Sequence, residues 1–233
     1  KSLGFNIDFA PVLDINSNKN NPVIGNRSFS SNKEIVSKNG LALVQGLNSN
    51  NIISSVKHFP GHGDTSVDSH KDIPIVTKSK EEILNFEVYP FKNAIDNNID
   101  MIMVGHILYN SLDSENIASL SKNIKEDFLR KELKFNGVII SDDLTMNAVL
   151  KNKSIEEASY EFLKTGGDLA LICHNTKNAK KTVDYILEKV KSKEFSEEEI
   201  NIKVKRILNL KYKYNLENNF NENLELENEL LNL

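Results

Sequence analysis

The segment KHFPGHGDTSVDSH, residues 57–70, contains three of the five histidines of the chain and two aspartates. Imidazole and carboxylate groups at this density suit metal ligation, proton transfer, or the bracing of a tight loop. A second acidic feature, the adjacent pair Asp142 and Asp143, directly follows the apolar run VIIS. The chemistry of this chain therefore depends on how the loop and the aspartate pair are brought together.

Metal ligation is one alternative for the histidines of this segment. His58 and His62 are four residues apart, a spacing that places two ligands on one face of a helix. Pro60 and the flanking glycines disfavour a helix here, so a zinc site would need ligands arranged on a loop. Such a site would use His58 and His62 with His70 or Asp64, and we keep a metal-dependent hydrolase as an alternative.

Proton transfer is favoured by the DSH sequence, in which Asp68 lies two residues before His70. A carboxylate that bonds one imidazole nitrogen selects the tautomer and stabilises the imidazolium form. The other nitrogen is then available as acid and later as base, since an unperturbed histidine has a pKa of about 6.5. Asp142, at the end of a strand-like run, is the candidate partner, whereas His62 and Asp64 suit loop bracing.

The elements that must position these groups alternate between strand-like and helical patterns. Helix is predicted to begin after Asn32 and after Ser79, where Glu82 completes a capping box, and Pro90 is predicted to interrupt the second helix. This alternation predicts a parallel sheet with crossover helices, an α/β fold. The strand-like runs are 5–15, 51–59, 99–107, 135–144 and 168–174, and the helical patterns are 33–47, 79–95, 123–133, 154–164, 177–193 and 196–214.

Polar residues fall at or just after the carboxyl ends of these predicted strands. In a parallel α/β barrel that end of the strands carries the active site. The sequence therefore predicts that these groups share one face of the barrel. They are Asp14, Lys57, His58, His106, Asp142, Asp143 and His174.

Composition excludes several other classes of function. The net charge of −4 argues against a nucleic-acid partner, and the GxGxxG and GxxxxGK nucleotide-binding motifs do not occur. No apolar run reaches the roughly 18 residues of a membrane span, and the single Cys173 excludes an internal disulfide framework. We expect no cofactor and a cytoplasmic location, with secretion or lipid anchoring left open because the chain starts directly in a strand-like run.

Five segments together resemble glycoside hydrolase family 3, in particular its β-N-acetylglucosaminidase branch. They are NIDFAPVLDIN, GNRSFS, KHFPGHGDTSVDSH, NGVIISDDLTM and VKRILNLKYKYNL. The resemblance implies a TIM-type (β/α)8 barrel domain over residues 1–215, followed by a polar tail over 216–233. It also implies a monomeric enzyme that removes N-acetylglucosamine from muropeptides derived from peptidoglycan, or from a related glycan.

The same resemblance implies roles for individual residues. Asp142 would be the nucleophile that forms a covalent glycosyl-enzyme, and His70 would be the acid and base, oriented by Asp68. Retention of configuration is the expected outcome of such a double displacement. The hydroxyls of the sugar would be bound by Arg27, Lys57 and His58.

The chain departs from the family at its start. The family has two further strand–helix units before the segment FNIDFAPVLD, and the second of these units contributes an acidic residue and an arginine to the sugar site. We therefore expect a barrel that is incomplete at its N-terminal side, because the missing strands would leave unpaired edges. A degenerate sugar-binding remnant without catalysis is the third alternative.

Overall fold

The computed structural model describes residues 3–69 and 72–216. The strands are β1 (Ile7–Asp8), β2 (Ile53–Phe59), β3 (Ile75–Val76), β4 (Met101–Val104), β5 (Leu108–Tyr109) and β6 (Val138–Ser141). The helices are α1 (Lys33–Ser49), α2 (Lys80–Asn85), α3 (Tyr89–Asp96), α4 (Asn147–Leu150), α5 (Ile155–Lys164), α6 (Thr176–Lys191) and α7 (Glu197–Lys213), with a 3-10 turn at Gly25–Arg27 and a π-helix at Asn123–Glu132. The tail predicted to begin at residue 216 lies, apart from Leu216, outside the described residues.

The main sheet is parallel, with the strand order β1-β2-β4-β6. Helices connect its consecutive strands, as the sequence pattern predicts for a parallel α/β sheet. Strands β3 and β5 pair with each other outside this sheet. All strands of the main sheet thus direct their carboxyl ends to the same edge.

Side chains on the two faces of the main sheet belong to two apolar clusters, because successive side chains of a strand point in opposite directions. On one face Val56, Ile102 and Ile139 pack with helices α1 to α3 and the π-helix. On the other face the strand residues pack with Leu210 and Tyr214 at the end of α7. The rigid core therefore supports the strand ends from both sides.

Three serine residues begin helices with a capping box. Ser79, Ser154 and Ser196 each accept from the backbone N–H three residues later, and the glutamate there bonds back. The predicted start of α2 at Ser79 with Glu82 is thereby confirmed. The predicted helix 79–95 is interrupted, but before Pro90 and not at it: α2 ends at Asn85 and α3 begins at Tyr89, so Pro90 lies in the first turn of α3, where no N–H is needed.

The predicted strand at 168–174 is wrong for most of its length. Leu169 makes an isolated bridge to Ile140, but the next amides bond side chains at the end of β6 instead of a strand backbone. Leu171 N donates to Ser141 Oγ at 2.8 Å, and Cys173 N donates to Asp143 Oδ1 at 3.1 Å. The first predicted strand is likewise shortened to β1 and an isolated bridge between Val12 and Lys57. No helix within the two described ranges is long and apolar enough to cross a membrane.

Candidate active site

The carboxyl ends of β2, β4 and β6 meet at one edge of the sheet. The backbone N–H of Asp142, directly after β6, donates to the carbonyl of Val104 at the end of β4, at 3.0 Å. The carbonyl of Phe59 at the end of β2 accepts from Gly105 N at 3.0 Å. These two bonds place the loops after the three strands side by side, as the strand-end pattern predicts.

Asp14 organises the residues after β2 from a fully buried position. Its carboxylate accepts from His58 Nδ1 at 2.7 Å and from the backbone N–H of His62 at 2.6 Å. The backbone N–H of His58 adds a third donor, at 3.2 and 3.3 Å from the two oxygens. Burial acts to raise the pKa of Asp14, but the attraction and hydrogen bonds of His58 and His62 outweigh it and lower the pKa. Asp14 is therefore an ionised anchor for the loop.

His58 is held between Asp14 and Arg27. Its Nε2 lies 3.4 Å from Nη2 of Arg27, which belongs to the exposed 3-10 turn. Because a guanidinium only donates, Nε2 acts as the acceptor and the ring proton lies on Nδ1, facing Asp14. The predicted sugar-binding residues Arg27 and His58 are thus adjacent.

Asp142 and Lys57 are close enough to change each other's ionisation. Burial acts to raise the pKa of Asp142, but His58, His106, the N–H of Asp143 and Lys57 together lower it. Burial and Arg27 lower the pKa of Lys57, against the attraction of Asp142 and Asp14. The carboxylate of Asp142 is consequently ionised at neutral pH, which is the form required of a nucleophile.

The adjacent Asp143 has a structural environment instead. Its Oδ1 accepts from the backbone N–H groups of Thr145 and Cys173, and its Oδ2 accepts from the Thr145 hydroxyl at 2.6 Å. The exposed His174 lies 3.6 Å from Oδ2. Asp143 therefore braces the loop after β6, and the two adjacent aspartates have separate tasks.

His62 is a bracing residue, as the sequence suggested. Its Nδ1 lies 2.7 Å from Thr65 Oγ1, and its Nε2 lies 3.3 Å from Ser69 Oγ. Asn21 ties the same loop down by donating to the carbonyl of His62 at 2.7 Å. Asp64 also braces the loop, since it accepts from Ser17 Oγ at 3.2 Å and pairs with Lys78 at 3.2 Å.

Two glycines permit the path of this loop. Gly61 has a φ of +135°, which side-chain-bearing residues rarely adopt. A Cβ at Gly63 would lie 1.7 Å from the carbonyl oxygen of Ile15, so only glycine fits there. The buried hydroxyl of Tyr109 donates to the carbonyl of Gly61 and holds the turn. The first half of the segment is thus a rigid base.

The second half of the segment carries the predicted acid–base pair. Asp68 is partly exposed and close to the end of the first described range, whereas His70 lies outside the described residues. The pairing of Asp68 with His70, and the reach of His70 to Asp142, stay predictions.

The metal alternative receives no support from this geometry. Both ring nitrogens of His58 and of His62 face protein partners, as described above. Within residues 3–69 and 72–216, no group of three or more histidine, cysteine, aspartate or glutamate side chains is arranged to hold a metal ion. Of the two further proposed ligands, Asp64 bonds Ser17 and Lys78, and His70 lies outside that part of the chain.

The sequence placed Asp14 and His106 at the ends of predicted strands but assigned no role to either residue. Asp14 contacts His58 and His62, which are more than forty positions away in the chain. His106 bonds Ser119 and the backbone of Asp143. The only sequence signal for either residue was its position at the end of an apolar run.

Comparison with known proteins assigns the chain to a family. The protein-family model described as Glycosyl hydrolase family 3 N terminal domain matches residues 1–210. The chain belongs to glycosyl hydrolase family 3. Beta-hexosaminidase A of Pseudoalteromonas piscicida is 36% identical over 230 residues, which cover 91% of this chain and 38% of that protein. The chain spans about half the length, or less, of the curated relatives it matches.

Similar solved structures agree with the fold. A family 3 beta-N-acetylglucosaminidase from Paenibacillus sp. str. FPU-7 superposes with a TM-score of 0.90 at 40% identity, covering 91% of this chain and 41% of that chain. Zinc-bound CbsA from Thermotoga neapolitana superposes with a TM-score of 0.86 at 33% identity, covering 96% and 48%. The predicted α/β fold of TIM-barrel type is confirmed by these likenesses.

Proposed function

We propose that this protein is a retaining β-N-acetylhexosaminidase that works by double displacement at Asp142. The observation that carries the proposal is the Asp142 carboxylate at the carboxyl end of β6, which accepts from the N–H of Asp143 and whose pKa is lowered by His58 and Lys57, in a chain of family 3. Active sites of TIM-type barrels lie at that end of the strands. The curated relatives named beta-hexosaminidase support the same reaction.

The proposed reaction has two steps, and His70 acts as the acid in the first step and as the base in the second. Asp142 attacks the anomeric carbon and forms a glycosyl ester, while His70 gives its proton to the leaving glycosidic oxygen. His70 then takes a proton from water, whose oxygen displaces Asp142 and restores the free carboxylate. Asp68 bonds the second nitrogen of His70 and stabilises its protonated form.

The sugar is proposed to bind against β2 and the 3-10 turn. Lys57 and Arg27 present donors to the ring hydroxyls, and Nε2 of His58, whose ring proton lies on the side of Asp14, accepts from a sugar hydroxyl in place of Arg27 Nη2. Asp14 thereby selects the tautomer that the sugar meets. The site thus offers both donors and an acceptor, which suits a polyhydroxylated ring.

The substrate is proposed to be a non-reducing-end β-N-acetylglucosamine unit of a peptidoglycan-derived muropeptide or a related glycan. Support comes from the resemblance of the KHFPGHGDTSVDSH segment and from the beta-N-acetylglucosaminidase among the similar structures. A monomer acting in the cytoplasm is part of the same proposal.

The test is turnover of two aryl β-N-acetylglucosaminides by the full-length protein, one with an acidic phenol as leaving group and one with a less acidic phenol. Asp142→Ala should lower kcat by about 10³-fold or more on both. His70→Ala should lose far more on the poorer leaving group, because only that group needs protonation. Asp127→Asn, which breaks an exposed pair with Lys131, is the matched control and should behave as wild type.

Trapping of the sugar on Asp142 by an activated fluorinated analogue would identify the nucleophile by mass spectrometry. Wild-type rates in both variants would refute the proposal. Loss of turnover on chelation, restored by added metal, would favour the metal-dependent alternative. Binding of N-acetylglucosamine without any turnover would favour the non-catalytic remnant.

A further inference from the structure

His106 is a buried histidine that the proposed reaction does not use. It follows β4 at the same edge of the sheet as Asp142, and only about 1% of its surface is exposed. Its Nε2 lies 3.0 Å from the carbonyl oxygen of Asp143, and its Nδ1 lies 2.7 Å from Ser119 Oγ. Both ring nitrogens therefore have a defined partner without any ligand.

The partners of His106 determine its tautomer. A carbonyl oxygen only accepts, so Nε2 carries the proton. Burial is the main cause that lowers the pKa of His106, against the opposing attraction of Asp142 and Asp143, so the ring is neutral at neutral pH. Nδ1 is consequently an acceptor, and the Ser119 hydroxyl donates to it.

Ser119 is itself held in place from the other side. It is fully buried, and its backbone carbonyl accepts from the buried amine of Lys125 in the π-helix. Lys125 Nζ lies 4.8 Å from the ring centroid of Phe162. The backbone N–H of Ala118 also donates to the carbonyl of Ile107 at 2.7 Å, joining this segment to the residue after His106.

The hydrogen bonds of Ser119 and His106 lead through the backbone of Asp143 to Asp142. The N–H of Asp143 donates to Asp142 Oδ1 at 2.8 Å, while the carbonyl of the same residue accepts from His106. Thr145 and Cys173 hold the Asp143 side chain, as described above. His106 thus completes the set of bonds that leaves the Asp143 N–H directed at one oxygen of Asp142.

We propose that His106, oriented by Ser119, is a positioning residue that directs the Asp142 carboxylate through the backbone of Asp143. The inference rests on the proposed function, because it assigns His106 a task in the reaction of Asp142. It predicts that the donor on Nε2 matters rather than the volume of the ring. Among the described residues, the titratable groups that interact electrostatically with Asp142 are Lys57, His58, His62, His106 and Cys173.

The experiment compares two substitutions of His106 that differ in the donor they retain. His106→Gln presents an N–H at about the reach of Nε2, whereas His106→Asn is too short to reach the Asp143 carbonyl. With an aryl β-N-acetylglucosaminide, His106→Asn should lower kcat by about 10–100-fold, with KM changed much less. In this variant the acidic limb of the pH profile of kcat/KM should move to higher pH, because the ionised Asp142 carboxylate loses a stabilising interaction. His106→Gln should recover most of the wild-type rate.

Ser119→Ala is the second variant, with Ser159→Ala as its matched control. Ser159 is also fully buried, but its hydroxyl donates at 2.7 Å to the carbonyl of Ile155 within α5, away from the strand ends. Ser119→Ala should lower kcat and shift the acidic limb in the same direction as His106→Asn. Ser159→Ala should leave both unchanged.

Several results would overturn the inference. Equal losses of kcat in His106→Gln and His106→Asn would mean that packing matters and the donor does not. An acidic limb of the kcat/KM profile that stays at the wild-type pH in His106→Asn would also refute the positioning role. If His106→Asn fails to fold, Ser119→Ala decides by the same readouts. A wild type without turnover would instead count against the proposed function. In that case the pKa of Asp142, read by carboxyl carbon NMR, should still rise in Ser119→Ala, and an unchanged value would refute the positioning role.

Discussion

Replacing Asp14 by asparagine tests whether this carboxylate anchors the loop after β2. The substitution conserves the size of the side chain and removes only the charge and one acceptor oxygen. Asp14 is fully buried and receives two N–H donors from His58 and one from His62. An amide has one acceptor oxygen, so its NH2 group must face at least one of these donors.

The expected cost follows from these contacts. Hydrogen bonds to a charged group are worth about 1.5–3 kcal/mol each, and they are not additive. A buried N–H that loses its acceptor adds a desolvation cost of about 1–3 kcal/mol. We expect the free energy of unfolding of Asp14→Asn to fall by about 3–5 kcal/mol, which lowers Tm by roughly 6–20 °C in a domain of this size.

The assay is urea unfolding and thermal melting of both proteins as a function of pH. The pKa of Asp14 is lowered in the folded protein, so its contribution to stability is fully present above the unfolded-state pKa of about 4. That contribution is lost as the pH falls through the lowered folded-state pKa. The stability gap between wild type and Asp14→Asn should therefore be constant near neutral pH and should shrink only in acid.

Asp127→Asn is again the control, since Asp127 is exposed and pairs with Lys131 on the surface. It should show no measurable change in Tm. A melting temperature of Asp14→Asn within about 2 °C of wild type would refute the anchoring role, because the cost given above corresponds to a larger shift. A gap that keeps its size in acid would show that the charge of Asp14 is not the cause.

Three further predictions concern the loop, its support and helix α1. Lys78→Ala removes the partner of the buried Glu87, whose carboxylate lies 2.6 Å from Lys78, and should cost about 1–3 kcal/mol of unfolding free energy at pH 7. Burial is the main cause that raises the pKa of Glu87, so this loss should diminish in urea titrations as the pH falls through the raised folded-state pKa, while Lys80→Ala on the exposed surface should show no such trend. Gly63→Ala should prevent soluble expression or lower Tm sharply, because its Cβ would meet a carbonyl oxygen at 1.7 Å. Gly46→Ala in α1, where the added Cβ meets nothing within 4 Å, should raise the unfolding free energy by about 0.5–1 kcal/mol; a lowered Tm there would contradict the reasoning.

Much of the architecture could be predicted because it depends on local signals. The alternation of apolar runs and helical patterns predicted the parallel sheet, and the serine with a glutamate three residues later predicted the start of α2. The predicted strand at 168–174 was wrong because the side chains of Ser141 and Asp143 take the amides that a strand would use. Such competition between side chain and backbone depends on residues some thirty positions away.

The sequence by itself determined that Lys57, His58, His106, Asp142 and Asp143 stand at or just after the ends of strands, since apolar runs mark those strands and polar residues mark their ends. The runs before Asp14 and His174 are not strands for most of their length. Only the tertiary structure decided what those groups do. Asp14 meets His58 across 44 positions, and His106 meets the Asp143 backbone across 37. It also gave the adjacent Asp142 and Asp143 different hydrogen bonds. The carboxylate of Asp142 accepts from the N–H of Asp143, whereas the carboxylate of Asp143 accepts from Thr145. The physical reason is that ionisation and tautomer depend on burial and on neighbours in space, and folding alone brings those neighbours together.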